Sequence, residues 1–301
     1  MSALRQDFIA RFDWIRRSLM FEPRGHDMMS GGFLYPPFHP DSDAAILFLE
    51  TSGCLPMCGH GTIGMLTFAL EEGLISPRTP GQLIVEVPAG RLEVAYRQEG
   101  RRVTSVRLTN VASFLHSRDL QIELPELGPL SVDIAYGGNF YAIIEPQPGY
   151  PGLDALGAER IIALSRELRQ RVNAAIAPVH PKDPTICGVR HILWADQPRA
   201  EGAHGRNAVF YGERAIDRSP CGTGTSARLA QLHARGRLKT GVDFVHESYI
   251  GSRFIGRVEA QTEVGGFPAV VPSIEGRAYS TGFNQIWVDR DDPFWEGFSV
   301  F

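Results

Sequence analysis

Two cysteines occupy matching positions in two copies of one short motif. Residues 58–64 read CGHGTIG and residues 221–227 read CGTGTSA, so both copies follow the pattern Cys-Gly-x-Gly-Thr-x-small. Each copy follows a predicted strand and opens a predicted helix, and each helix stops at a glycine suited to a left-handed C-cap, Gly73 or Gly236. The duplication predicts two equivalent half-sites in two related domains.

The position of each cysteine favours acid–base chemistry. A thiol just ahead of a helix N-terminus lies near unpaired backbone N–H groups and the positive end of the helix dipole, which lower a thiol pKa from about 8.5 toward neutrality. Cys58 and Cys221 are therefore predicted to act as a thiolate and thiol pair. The flanking glycines allow a ligand to approach the backbone, and the N–H groups after each cysteine suit a carboxylate.

Proton exchange at the Cα of an amino acid needs both features. The carbanion is unstable, so the site must stabilise charge on the carboxylate and supply an acid on the opposite face. A carboxylate held at two helix ends, midway between two sulfurs, meets this need without a metal or pyridoxal phosphate. We predict an enzyme that inverts an amino-acid Cα and uses no cofactor.

Other interpretations of these cysteines are weaker. A single cysteine is more often a small buried apolar residue, but the matched contexts outweigh that interpretation for Cys58 and Cys221. Cys54 and Cys187 have no second cluster at metal-ligand spacing, so we predict that both are structural and that there is no metal site. Residues 222–226 resemble a phosphate loop, but no lysine follows the glycines, which disfavours nucleotide binding.

Residues beside the cysteines are candidate substrate contacts. His60, at the helix start, is predicted to contact the substrate or its carboxylate, with plain helix capping as the alternative. Gly222 and Thr223 offer backbone and hydroxyl donors to the carboxylate, and a capping threonine is again the alternative.

Two further candidates lie outside the repeated motif. Asp217, in the turn before Cys221, is a candidate partner of the substrate ammonium, although an aspartate in a turn needs no such role. His191 opens a predicted strand, and a core histidine with satisfied hydrogen bonds is its alternative.

Composition limits the class of protein. The chain has 301 residues, 43% of them hydrophobic, and a net charge of −4, which suits two modest domains and provides no basic stripe for nucleic acid. No apolar run approaches the ~20 residues of a membrane span, and the residues after Met1 do not form a signal-peptide core. Four cysteines are too few for a disulfide framework. We therefore expect a cytoplasmic protein with free thiols and without nucleic-acid or membrane partners.

Hydrophobic periodicity predicts the elements that position the motifs. The pattern predicts one amphipathic helix over residues 5–19, a buried strand at Ala44–Glu50 leading to Cys58, and a second group of elements starting near Val111. The remaining predicted strands are 83–87, 91–96, 103–109, 131–136, 139–144, 191–194, 207–211, 253–259, 269–274 and 285–288, and the remaining helices follow Gly152, Cys58 and Cys221. Mostly antiparallel sheet with few helices is an α+β, loosely α/β, arrangement.

The chain resembles the proline racemase family, most closely its bacterial 4-hydroxyproline 2-epimerases. The resemblance covers nearly the whole chain and is carried by FEPRGHDMMS at 21–30, LPMCGHGTIG at 55–64 and DRSPCGTGTSAR at 217–228. Further agreement lies in DIAYGGNFYA at 133–142, HILW at 191–194 and HES at 246–248.

The resemblance implies a fold like that of diaminopimelate epimerase. Two pseudo-symmetric domains, each a mostly antiparallel sheet around a central helix, would hold the active site in the cleft between them. The first would comprise residues 1–111, completed by 283–301, and the second residues 112–282. The oligomeric state stays open at this stage, with a homodimer as the guess because it is a common assembly of soluble proteins.

The resemblance also implies the roles of the site residues. Cys58 and Cys221 would be the acid–base pair that interconverts trans-4-hydroxy-L-proline and cis-4-hydroxy-D-proline. The carboxylate contacts would be Gly59, His60, Gly222 and Thr223, and the ring-amine contacts Asp217 and His191. Relatives that dehydrate trans-3-hydroxyproline have threonine at the second cysteine position, so Cys221 favours epimerisation.

Three alternatives remain open at this stage. The same fold can act as a proline racemase or as a trans-3-hydroxyproline dehydratase. Relatives begin with a strand carrying a His-Thr-x-Gly-x-Pro-like motif, whereas this chain starts almost directly in its first helix, about thirty residues later. A non-catalytic ligand-binding paralogue without that strand is therefore the third alternative, and the assignment of each cysteine to one face of the substrate stays open.

Overall fold

The computed structural model describes residues 1–300, which form two compact units. Unit 1 comprises Met1–Arg107 and the C-terminal segment from Arg277, and unit 2 comprises Leu108–Gly276. Both contain a mostly antiparallel sheet and few helices, so the predicted α+β class is confirmed. Among the described residues, no helix is both long and apolar enough to cross a membrane.

Unit 1 is a sheet with one longer helix that is buried along one face. Its elements are α1 (Ser2–Arg11), α2 (Asp13–Met20), β1 (Ser30–Tyr35), β2 (Ala44–Glu50), β3 (Gly53–Leu55), α3 (Gly59–Glu71), β4 (Gln82–Val87), β5 (Gly90–Glu99) and β6 (Arg102–Thr109). The strand order is β1-β2-β4-β5-β6, with β3 paired to β2. Every residue of β2 is buried, as expected for its continuous apolar run, and β2 with β3 leads the chain to Cys58.

Unit 2 is a closed ring of strands around a helix. Its elements are β7 (Ser113–Leu124), β8 (Gly128–Tyr136), β9 (Phe140–Ile144), α4 (Leu153–Ala175), β10 (Val179–His180), β11 (Asp183–Cys187), β12 (Val189–Asp196), β13 (Gly205–Tyr211), β14 (Ala215–Ile216), α5 (Gly222–Ala234), β15 (Asp243–Glu247), β16 (Arg253–Val264) and β17 (Phe267–Gly276). The order is β7-β8-β9-β12-β13-β15-β16-β17, and β17 pairs back onto β7. The helix α5 contacts β7, β8, β9, β16 and β17, and its residues from Gly222 to Leu232 are all buried.

The two units repeat one topology around their helices. In unit 2, β12 pairs with β13 antiparallel, β13 with β15 parallel, and β15 with β16 antiparallel. In unit 1, β1 pairs with β2 antiparallel, β2 with β4 parallel, and β4 with β5 antiparallel. The short strands β3 and β14 pair with β2 and β13 in the same way. The repeated motif therefore lies at equivalent points of two pseudo-symmetric halves.

Two local predictions are wrong. The single helix predicted over residues 5–19 is broken, because Phe12 leaves helical geometry (φ −128°, ψ 10°) between α1 and α2. The strand predicted at residues 285–288 is not formed, although its segment belongs to unit 1. No neighbouring strand pairs with these residues in the described chain, and Trp287 is 77% exposed, so the period-two pattern has no sheet to join.

Candidate active site

Cys221 is the residue immediately before helix α5 and has an unusual backbone. Its φ of 63° and ψ of 114° lie in a region that non-glycine residues rarely adopt. Such geometry costs about 1–3 kcal/mol and persists only where the surroundings enforce it. The side chain is 7% exposed, so the strained residue presents its sulfur in a largely dry environment.

A chain of hydrogen bonds from Asp217 fixes the turn that carries Cys221. The backbone N–H and the hydroxyl of Ser219 both donate to Asp217 Oδ1, at 2.8 and 2.9 Å. The Ser219 hydroxyl oxygen accepts a hydrogen bond from the Cys221 N–H at 3.0 Å. Asp217 is 6% exposed. The carboxylate predicted to meet the substrate ammonium therefore also orders the approach to α5.

Two hydroxyl groups adjoin the sulfur of Cys221. The Tyr141 hydroxyl lies 3.2 Å from Cys221 Sγ and 2.5 Å from Thr223 Oγ1, and Thr223 Oγ1 lies 3.8 Å from the sulfur. Burial, followed by the charge that Cys221 can carry, raises the pKa of Tyr141 well above its usual value, so its hydroxyl keeps its proton. Gly222 and Thr223 are the first two residues of α5, where backbone N–H groups have no intrahelical partner.

His191 packs against the tyrosine of this cluster. Its ring stacks on the ring of Tyr141, with centroids 4.9 Å apart and an angle of 22° between the planes. Burial, then the nearby Arg190 and Arg169, lower the pKa of His191 to about 3, so it is neutral near pH 7. Its Nδ1 has no hydrogen-bond partner among the described residues. Within unit 2, His191 therefore packs against the tyrosine that contacts Cys221 Sγ.

Cys58 has the matching place in unit 1, immediately before Gly59 at the start of α3. Its side chain is 6% exposed, and its backbone is extended, with φ −142° and ψ 110°. The backbone N–H and hydroxyl of Thr62 both donate to the Cys58 carbonyl, at 3.0 and 2.8 Å. The threonine of the repeated motif thus secures the first turn of the helix below the sulfur.

His60 is the second residue of α3 and corresponds to Thr223 in the other motif. Its Nε2 lies 3.5 Å from the hydroxyl of Ser30, the first residue of β1. His60 is half-buried. A ring nitrogen and the N–H groups of the first turn of α3, which have no intrahelical partner, therefore occur together beside Cys58, an arrangement suited to carboxylate binding.

The second glycine of each motif leaves room for the sulfur. A Cβ on Gly61 would lie 3.0 Å from Cys58 Sγ. A Cβ on Gly224 would lie 3.2 Å from both Cys221 Sγ and Tyr141 Cε1. Carbon contacts this short are repulsive, so any larger residue displaces the sulfur.

The predicted site residues fall into one group in each unit. Cys58, Gly59 and His60 lie together in unit 1, and Cys221, Gly222, Thr223, Asp217 and His191 lie together in unit 2. Sequence reasoning missed Tyr141 and Ser219. The alternation of β9 was the available signal for Tyr141, since it places this residue on the face opposite to that of Phe140.

The other two cysteines have different environments. Cys54 is buried, and burial raises the pKa of its thiol to about 12, so it stays neutral. Cys187 is exposed on β11, so its predicted structural role has no support in core packing. Among residues 1–300, no group of three or more His, Cys, Asp or Glu side chains is placed to hold a metal ion.

Comparison with known proteins shows the family of the chain. The chain matches the family model described as proline racemase over residues 1–299. It is 59% identical over 300 residues to a protein of Spirosoma linguale named 4-hydroxyproline 2-epimerase, an alignment that covers 100% of this chain and 90% of the relative.

Two solved structures share the fold and much of the sequence. A hydroxyproline epimerase from Agrobacterium vitis, with bound trans-4-hydroxy-L-proline, matches with a TM-score of 0.89 and 36% identity over 96% of this chain and 83% of that one. A probable proline racemase from Agrobacterium radiobacter, with bound carbonate, matches with a TM-score of 0.89 and 37% identity over 96% and 84%. The resemblance predicted from the motifs is confirmed: the chain belongs to the proline racemase family.

Proposed function

We propose that this protein is a 4-hydroxyproline 2-epimerase that interconverts trans-4-hydroxy-L-proline and cis-4-hydroxy-D-proline. The observation that carries the proposal is the pair of cysteines, each held at the start of the helix in one of two topologically equivalent units. The relative from Spirosoma linguale and the structure from Agrobacterium vitis support the choice of substrate, by name and by bound ligand respectively.

The proposed chemistry is a proton exchange between two sulfurs and one carbon. The thiolate of one cysteine takes the Cα proton and becomes a thiol, and the electron pair left on carbon spreads into the carboxylate. The thiol of the other cysteine gives its proton to the opposite face and becomes a thiolate. Proton number balances without an external acid, base or redox partner, and the configuration at Cα inverts.

The first turns of the two helices stabilise the charge that develops. Backbone N–H groups of Gly59 and His60 in one unit, and of Gly222 and Thr223 in the other, would donate to the carboxylate oxygens. These donors are fixed before the reaction, so little reorganisation accompanies the transition state.

Asp217 and His191 would position the ring amine of the substrate. Asp217 supplies negative charge for the substrate ammonium. The contribution of His191 to this positioning is indirect, because it stacks on the ring of Tyr141.

The test is a substrate panel with two cysteine variants. Trans-4-hydroxy-L-proline, L-proline and trans-3-hydroxy-L-proline are each incubated with the protein, and the products are separated by chiral chromatography. We expect turnover of the first substrate, and its loss by at least about 10³-fold in Cys58→Ser and in Cys221→Ser with retained circular dichroism. Preferred inversion of proline, or dehydration of the 3-hydroxy compound, would replace the proposed substrate with one of the two enzymatic alternatives.

A non-catalytic binding protein would give another result. It would bind pyrrole-2-carboxylate, a planar mimic of the carbanion, and leave all three amino acids unchanged. We also propose a cytoplasmic location and a homodimer. Light scattering of the purified protein tests the dimer.

A further inference from the structure

The two half-sites differ around their sulfurs although their motifs match. The third motif position is His60 in one copy and Thr223 in the other. Cys58 has extended backbone, whereas Cys221 has a positive φ. No side chain among the described residues of unit 1 hydrogen-bonds to Cys58 Sγ, whereas Tyr141 contacts Cys221 Sγ at 3.2 Å. This asymmetry bears on which sulfur carries the negative charge at rest.

Geometry beside Cys221 favours Tyr141 as the hydrogen-bond donor to sulfur. The Tyr141 oxygen lies 3.2 Å from Cys221 Sγ, whereas Thr223 Oγ1 lies 3.8 Å from it. Asn139 Nδ2, which can only donate, lies 3.5 Å from Thr223 Oγ1, and Thr223 can in turn donate to the Tyr141 oxygen at 2.5 Å. In this direction the single proton of Tyr141 points to the sulfur. A donor chain that ends on sulfur favours the thiolate, because a charged acceptor strengthens each bond before it.

We propose that Tyr141 donates its hydroxyl proton to Cys221 Sγ and holds this cysteine as the thiolate in the resting protein. The identity of Cys221 as a reacting group rests on the proposed function. In that reaction Cys221 is the resting base and Cys58 the resting acid. The enantiomer whose Cα proton faces Cys221 is then the one that the resting protein deprotonates.

Packing fixes Tyr141 in the orientation that this bond needs. The tyrosine is fully buried on β9, and His191 stacks on one face of its ring. Gly224 allows the ring and the sulfur to meet above the first turn of α5, since a Cβ there would lie 3.2 Å from each of them. The hydroxyl oxygen is therefore held beside the sulfur.

The other charged and titratable groups near Cys221 do not stabilise its thiolate, which leaves Tyr141 and the N-terminus of α5. Asp217 precedes α5, and its negative charge helps to raise the pKa of Tyr141, so it supplies no positive charge beside the sulfur. His191 and His246 are buried, and burial lowers the pKa of each to about 3, so neither supplies a positive charge near pH 7. On β8, Asp133 pairs with Arg235, which follows the C-terminal end of α5. The Tyr141 hydroxyl and the N-terminus of α5 therefore stabilise the thiolate.

The test measures the reactivity of each cysteine against pH. Wild type and Tyr141→Phe are treated with limiting iodoacetamide between pH 5 and pH 10, and site-resolved mass spectrometry follows the alkylation of Cys221. We expect the midpoint pH for Cys221 to rise by about one unit in Tyr141→Phe, which is a tenfold fall in the acid dissociation constant of the thiol. The midpoint for Cys58 on the same molecules should stay constant.

Matched variants keep the outcome interpretable. Tyr136→Phe removes another buried tyrosine hydroxyl from unit 2, without a contact to Cys221, and should leave its midpoint unchanged. Thr223→Val should raise the midpoint, by less than Tyr141→Phe, because Tyr141 loses its donor. An unchanged midpoint in Tyr141→Phe, or a lowered one in Thr223→Val, would overturn the proposal. Alkylation needs no turnover, so a shift without epimerisation would reject only the proposed function.

Discussion

The second glycine of each motif allows a sharp test of how the sulfurs are positioned. In Gly224→Ala the new Cβ would lie 3.2 Å from Cys221 Sγ, and in Gly61→Ala it would lie 3.0 Å from Cys58 Sγ. Comfortable carbon contacts begin near 3.5 Å, so each sulfur must move by roughly 0.3–0.5 Å. A misplacement of 1 Å costs about 100-fold in rate, and we expect about a tenfold loss of kcat/KM in each variant.

Gly64→Ala is the matched control. Gly64 takes the motif position of Ala227 in the other copy, and a Cβ there would meet nothing within 4 Å. Replacing a glycine inside a helix should raise the free energy of unfolding by about 0.5–1 kcal/mol. Its kcat/KM should stay near that of wild type.

The assay is initial epimerisation of trans-4-hydroxy-L-proline by polarimetry, beside urea denaturation of the same samples. In Gly61→Ala and Gly224→Ala, the stability gained from the higher helix propensity of alanine opposes the stability lost through crowding of the sulfur. The free energy of unfolding should therefore change little while kcat/KM falls. Wild-type kcat/KM in both variants would refute the claim that these glycines set the position of the sulfurs.

Three further predictions concern the surroundings of the site. Pyrrole-2-carboxylate should protect Cys58 and Cys221 from alkylation, measured by mass spectrometry, and equal labelling with and without it would contradict binding at these cysteines. Ser219→Ala removes the hydroxyl that links Asp217 to the Cys221 N–H. Because one hydrogen bond contributes about 1 kcal/mol, kcat should fall about fivefold, and an unchanged kcat would show that the turn holds without this link. Burial lowers the pKa of His246 to about 3, so the unfolded chain binds a proton below pH 6.5 that the folded chain does not. As the pH drops from 6.5 to 5, the free energy of unfolding should therefore fall, with a limiting slope of about 1.4 kcal/mol per pH unit from this residue. An equal slope in His246→Asn would exclude His246 as the cause.

Local patterns were sufficient for the parts of the molecule that depend on neighbouring residues. The buried strand predicted at Ala44–Glu50 is β2 with the predicted bounds, because a strand buried on both faces favours a continuous apolar run such as Ala44–Leu49. The duplicated motif placed both cysteines directly before a helix, because glycine, threonine and cysteine at that spacing suit a helix start.

Features that depend on distant pairing were beyond such patterns. Tyr141 contacts Cys221 across 80 residues of sequence, and only the arrangement of β9 beside α5 creates that contact. The positive φ of Cys221 follows from the turn built by Asp217 and Ser219, not from the residue type, which disfavours it. The strand predicted at 285–288 fails for the same reason, since alternation alone cannot supply a partner strand.

The central claim is that two sulfurs act on opposite faces of one Cα, and deuterium incorporation at early times tests it most directly. Trans-4-hydroxy-L-proline is incubated with the protein in deuterium oxide, and NMR and mass spectrometry measure deuterium at Cα in the product and in the remaining substrate below about 5% conversion. Two cysteines on opposite faces predict that cis-4-hydroxy-D-proline carries deuterium while the remaining substrate keeps its proton. Deuterium in the remaining substrate at the rate of product formation would instead indicate one base serving both faces, and would contradict the account.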